Sequence, residues 1–111
     1  MLTPLQISLH GIAPSDALHR AIREKASKLE HYYDRMTGCR VVLALEGRHK
    51  RQGKQFAVHI SLKVPGSEIA VTREHDEDVQ VALRDAFDAA RRQLEDYARE
   101  KRGDVKRHVS G

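Results

Sequence analysis

Between Phe56 and Val64 the chain sets large apolar side chains at every second position. Phe56, Val58, Ile60, Leu62 and Val64 are separated by Ala57, His59, Ser61 and Lys63. A period of two over this length buries one face only as an extended strand, so the chain must build a sheet with one covered side. Pro65-Gly66 supplies turn chemistry, and Ile69 and Val71 resume the alternation beyond it. Upstream, Val41, Leu43 and Leu45 mark a further strand, and Leu5, Ile7 and Leu9, closed by Gly11, mark the earliest one.

The cover for that sheet is legible in two helical repeats. Pro14-Ser15-Asp16 offers a helix start with Ser15 or Asp16 as N-cap, and Leu18, Ile22, Ala26, Leu29 and Tyr33 follow at helical spacing. This predicts a helix from Asp16 to Arg35, about 30 Å long, with Gly38 as its stop. The acidic cluster Glu74, Asp76, Glu77 and Asp78 suits a helix N-terminus, where carboxylates meet the positive end of the dipole. A second stripe follows in Val79, Leu83, Ala86, Phe87, Ala90, Leu94 and Tyr97, with Gly103 as stop signal. The resulting order β, α, β, β, β, α predicts an α+β fold: a four-stranded mixed sheet with both helices packed on one face. The long connection makes the first two strands parallel, and the short ones make strands two to four antiparallel. The bare face would carry Gln6, Ser8, His10, Val42, Ala44, His59, Ser61, Lys63, Ala70 and Thr72, polar enough to sit in water. With 111 residues there is room for one core, so 1–103 is expected as one domain and 104–111 as a flexible basic tail.

The formal charge of +4 favours polyanionic partners without choosing among RNA, DNA and anionic lipid. One cysteine, Cys39, excludes an internal disulfide framework and points to a reducing compartment. The first twenty residues have no signal-peptide pattern, and no apolar run approaches the roughly 20 residues that span a bilayer. The expectation is a cytoplasmic protein without membrane contact. The seven histidines are scattered through strands, helix faces and loops, so no metal is expected. Neither a Gly-rich phosphate loop nor a nucleophile elbow is present, which argues against a cofactor, a small-molecule substrate and an enzyme.

Placing the basic residues around the helices is more informative than counting them. Arg84, Arg91 and Arg102 share one flank of the second stripe, Arg92 and Arg99 lie on the outer face, and Asp85 and Asp96 sit on the opposite flank. Pairs four residues apart account for Asp88 with Arg92 and Glu95 with Arg99, but leave the flank arginines over. In the first helix Lys25 projects within the apolar stripe, with Lys28 and Tyr32 along that edge. Either Lys25 snorkels from the sheet to water, or Lys25 and Lys28 stand in a groove beside the second helix and meet phosphates. A glycine-bracketed loop adds Arg48, Lys50, Arg51 and Lys54 without an acid, as solubilising surface or as a phosphate clamp. Aromatics at 5% and the lack of tryptophan leave phosphate and shape recognition to carry the affinity, which points to folded RNA rather than single strands.

The run Lys25-Ala26-Ser27-Lys28-Leu29-Glu30-His31-Tyr32-Tyr33-Asp34-Arg35, followed by Val41-Val42-Leu43, closely resembles the first helix and second strand of a known family. This is the bacterial hibernation-promoting factor and ribosome-associated inhibitor A family, also called the sigma-54 modulation protein family. Glu77-Asp78 before a helix ending in Arg92-Gln93-Leu94, and Pro65-Gly66 with Ile69, extend the resemblance over residues 5 to 102. It implies a βαβββα domain that binds small-subunit rRNA near the decoding region and inhibits translation in stationary phase or stress. It implies rRNA contacts at Lys25, Lys28, Arg84, Arg91 and Arg92, with Arg35 in a structural role. A monomeric short form, acting on single ribosomes or with a helper protein, is expected, because the C-terminal domain of the long form is not seen. Gln80 stands where the family usually has an aromatic, and Ala89 where it often has lysine. A protein-binding regulator of the sigma-factor type, using the bare sheet face or the loop, is the alternative.

Overall fold

The computed structural model describes residues 3–48, 53–75 and 78–110, without the side chains of 47–48, 53–54 and 104–110. The elements run β1 (Leu5–His10), α1 (Asp16–Leu29), β2 (Gly38–Arg48), β3 (Gly53–Val64), β4 (Ser67–His75) and α2 (Val79–Ser110). One sheet has the order β1-β2-β3-β4. β1 pairs parallel with β2, from Leu5 opposite Cys39 to His10 opposite Ala44, and the other two pairs are antiparallel. This is the mixed sheet with two helices that the hydrophobic periodicity requires.

The alternation along β3 decides the layering. Val58, Ile60, Leu62 and Val64 are buried with Val41 and Leu43 of β2 and Ile69 and Val71 of β4, whereas His59 and Lys63 are exposed. α1 contributes Leu18, Ile22, Ala26 and Leu29 to the same core, and α2 contributes Leu83, Ala86, Phe87, Ala90 and Leu94. Both helices therefore cover one face, α1 beside β1 and α2 over β3 and β4. Two alanines of α2, Ala82 and Ala89, widen the buried stripe beyond the expected set. Between β3 and β4, Pro65 fixes the first corner of a two-residue turn, and Gly66 takes the second at φ +76°, the left-handed region that favours glycine.

Local caps hold the helix starts. The Ser15 hydroxyl accepts from the Leu18 amide at 3.1 Å, and Asp78 accepts from the Gln80 amide at 2.8 Å. Of the acidic cluster, Asp78 is thus the cap and Glu74 belongs to β4, while Asp76 and Glu77 lie outside the described residues.

Both helix ends differ from the periodicity. α1 stops at Leu29 rather than Arg35, and the next turn closes through His31 to Lys28 and Tyr32 to Leu29 backbone bonds. The reason is geometric: a 14-residue helix of about 21 Å matches a six-residue strand of about 20 Å, and the chain must then return to start β2 beside Pro4. The Thr3 amide and hydroxyl donate to the Glu30 carboxylate at 3.0 and 2.6 Å, pinning the entry to β1 against this helix end. α2 has no returning strand to meet within the described residues, so it passes through Gly103 and continues to Ser110. The stop expected at Gly103 is absent.

Candidate nucleic-acid interface

The crossing of α1 and α2 brings together cations that are far apart in sequence. Lys25, Lys28 and Tyr32 on one side, and Arg84, Asp88 and Arg91 on the other, line a groove of about 210 Å³ floored by Leu29 and Phe87. Lys25 is half-buried there, so its stem lies on apolar surface while its position opens to the groove. Among the lining side chains four cations stand against the Asp88 carboxylate, with Glu95 and Asp85 reaching Arg91 and Arg84 from outside the lining, so the local balance is positive. A groove walled by low-dielectric core focuses such a field outward, toward an anion with spaced charges.

The arginines are held differently. Arg91 lies 3.3 Å from the Glu95 carboxylate and its guanidinium sits 5.8 Å from the centre of the Tyr32 ring. Arg84 is 64% exposed and reaches Asp85 at 3.7 Å, a contact that solvent screens heavily. Arg99 pairs with Asp96 at 3.2 Å, not with Glu95, and no ion pair joins Asp88 to Arg92 among the described residues. The charge pairing read from four-residue spacing is therefore corrected: Glu95 stands four residues from both Arg91 and Arg99, and it faces Arg91. Arg92 and Arg99 are exposed on the outer face, away from the groove.

A wider recess of about 800 Å³ continues from the groove toward the end of α1. Arg102 lines it with Lys101, Arg35, Tyr32 and Tyr33. Tyr33, which lines the recess, meets Tyr97 edge to face at 5.3 Å, and the Tyr97 hydroxyl donates to the carbonyl of Pro65, another lining residue, at 2.5 Å. Lys101 lies 5.6 Å from the Tyr97 ring centre. Desolvation, and then the neighbouring Tyr97 hydroxyl, push the Tyr33 phenol above its ordinary value. Arg35 is exposed at the rim of the recess.

Of the expected site residues, Lys25, Lys28, Arg84 and Arg91 converge, Arg102 extends the surface, and Arg92 and Arg99 stand apart. Lys50 and Arg51, and the side chain of Arg48, lie outside the described residues. Tyr32 was legible only as a residue on the edge of α1; its place over Arg91 depends on the helix ending at Leu29. Ala89 is buried at 3% exposure, so the position belongs to the core here. Among the described residues no three His, Cys, Asp or Glu side chains gather as a metal site requires, and no helix is long and apolar enough to cross a membrane.

Comparison with known proteins places the fold and the sequence together. The Thermus thermophilus Protein Y N-terminal domain is similar at a TM-score of 0.72 with 23% identity, over 86% of this chain and 99% of that one. A ribosomal subunit interface protein from Coxiella burnetii gives 0.72 with 21% identity, over 86% and 98%. In sequence, a ribosome hibernation promoting factor of Azotobacter vinelandii is 32% identical over 90 residues, covering 81% of this chain and 78% of the relative. A ribosome hibernation promotion factor of Deinococcus radiodurans is 29% identical over 83% of this chain, which spans 47% of that longer relative. The family model described as Sigma 54 modulation protein / S30EA ribosomal protein matches residues 5–102. The chain belongs to that family of non-enzymatic, ribosome-associated proteins.

Proposed function

We propose that this protein is a cytoplasmic ribosome hibernation factor that binds small-subunit rRNA near the decoding region and blocks translation in stationary phase or stress. The observation that supports it most is the convergence of Lys25, Lys28, Arg84 and Arg91 on one groove between the helices. These four hold phosphates, Arg102 adds a contact at the recess, and Arg92 and Arg99 meet backbone that passes over the outer face. Arg48, Lys50 and Arg51, read from the sequence alone, are proposed as further phosphate contacts. The groove is complete within one chain, so a monomer suffices.

Each neutralised phosphate releases condensed counterions, so log affinity falls with log salt by about 0.7 to 0.9 per contact. Engagement of the four groove cations alone gives a slope of about −2.8 to −3.6. Cosedimentation with ribosomes at stepped salt concentrations tests this. Binding at low salt that fades with that slope or a steeper one is expected, and a salt-independent association would contradict phosphate recognition. In a pull-down, an association that survives ribonuclease treatment would instead favour a protein partner of the sigma-factor type.

A further inference from the structure

Phosphate recognition makes no use of Tyr32, the aromatic side chain that lies open at the edge of the groove. Tyr32 is the one exposed large hydrophobic side chain among the described residues, at 41%. It lies in the turn that follows α1 and borders both the groove and the recess. Tyr33 and Tyr97, by contrast, pack on one another and are partly buried. Arg91 covers part of the Tyr32 ring from α2 at 5.8 Å, and Lys25, Lys28 and Arg84 line the same groove. An open aromatic face beside a planar guanidinium, in a groove lined by cations, matches the two chemistries of a nucleotide: a flat π surface and an adjoining negative charge.

We propose that Tyr32 and Arg91 form a stacking platform for one unpaired base of the bound RNA, while Lys25, Lys28 and Arg84 hold its flanking phosphates. The inference rests on the rRNA-binding reading of the groove and narrows its target. A fully paired A-form helix presents phosphates and ribose hydroxyls but no base face. The platform therefore selects folded RNA at a bulged or looped-out nucleotide, and a single base supplies local specificity on a surface that is otherwise electrostatic. The scarcity of aromatics in the chain fits one stacked base and excludes an extended stacking surface.

Because Tyr32 is exposed, its replacement leaves the core intact. Ribosome binding is measured by cosedimentation at several salt concentrations for wild type, Tyr32→Phe and Tyr32→Leu. Tyr32→Phe is expected to bind like wild type, and Tyr32→Leu to bind about five- to a hundredfold more weakly at every salt concentration. The salt slope should not change, because no charge is removed. Equal binding by the Phe and Leu variants would overturn the proposal. So would a loss accompanied by a shallower slope, since Tyr32 would then act only by positioning Arg91. A second measurement uses the wild-type protein and an RNA hairpin carrying a fluorescent aminopurine, either bulged or paired. Quenching on binding is expected for the bulged base alone, and unchanged fluorescence there would overturn the platform. If the bulged hairpin is quenched while the protein fails to sediment with ribosomes, the platform stands and the ribosomal reading falls.

Discussion

The Arg91 guanidinium and the Glu95 carboxylate lie 3.3 Å apart, one turn along α2, each side chain about one-third exposed at 34%. The central cation of the groove is thus partly neutralised by its own helix before any RNA arrives. Glu95→Gln keeps the size and polarity of the side chain and removes the competing charge. A partly exposed pair of this kind contributes about 0.2 to 1 kcal/mol, so the variant should bind ribosomes up to about fivefold more tightly. Weaker binding by Glu95→Gln in a titration would show that Glu95 orients Arg91 rather than restraining it.

The groove and the outer face of α2 should separate in a salt titration. Arg84→Gln removes a groove cation that is 64% exposed and only loosely paired, and it should reduce the slope of log affinity against log salt by about one. Arg99→Gln removes a cation held by Asp96 on the outer face and should change the slope by less. Equal changes for the two would show the outer face engaged as fully as the groove, against a site centred on the groove.

The passage of α2 through Gly103 has its own consequence. Among the described residues a methyl group added there meets nothing within 4 Å beyond its own stretch of helix, and alanine in a helix interior is about 1 kcal/mol more favourable than glycine. Gly103→Ala should raise helix content in far-ultraviolet circular dichroism and leave ribosome binding at low salt intact. An unchanged or lower helix content would contradict a helix that is continuous across this position.

Cys39 gives the protein a pH dependence of defined sign. Burial, and then the negative charge of Glu30, push its thiol from 9.0 to about 11. The folded state holds this proton more tightly than the unfolded chain, so the stabilisation is full below pH 9.0 and is lost as pH rises through about 11. Urea midpoints measured from pH 8 to 11 should fall more for wild type than for Cys39→Ala. Parallel curves would show that the thiol does not titrate differently on folding.

The strands and the shared core face were legible because their signals are local: the alternation from Phe56 to Val64 and the turn at Pro65-Gly66 need no knowledge of the rest. The end of α1 was not. Tyr33 continues the helical period, but strand length and the Thr3–Glu30 clasp end the helix at Leu29. Gly103 failed as a stop for the opposite reason, since within the described residues no later strand calls the chain back. Of the site, the flank holding Arg84 and Arg91 could be drawn on a helical wheel, and Lys25 stood out as a charge within an apolar stripe. The crossing that sets them around one groove, and the choice of Glu95 between two arginines at equal spacing, are tertiary facts.

The groove between α1 and α2 as an rRNA-binding surface is tested most directly by sedimenting the wild-type protein and a Lys25→Glu, Arg91→Glu variant with purified ribosomes at low salt. The wild type should travel with the ribosomes, and the double charge reversal should lose the association by orders of magnitude while remaining folded. A wild-type protein that stays at the top of the gradient, or a folded variant that travels with ribosomes as the wild type does, would contradict it.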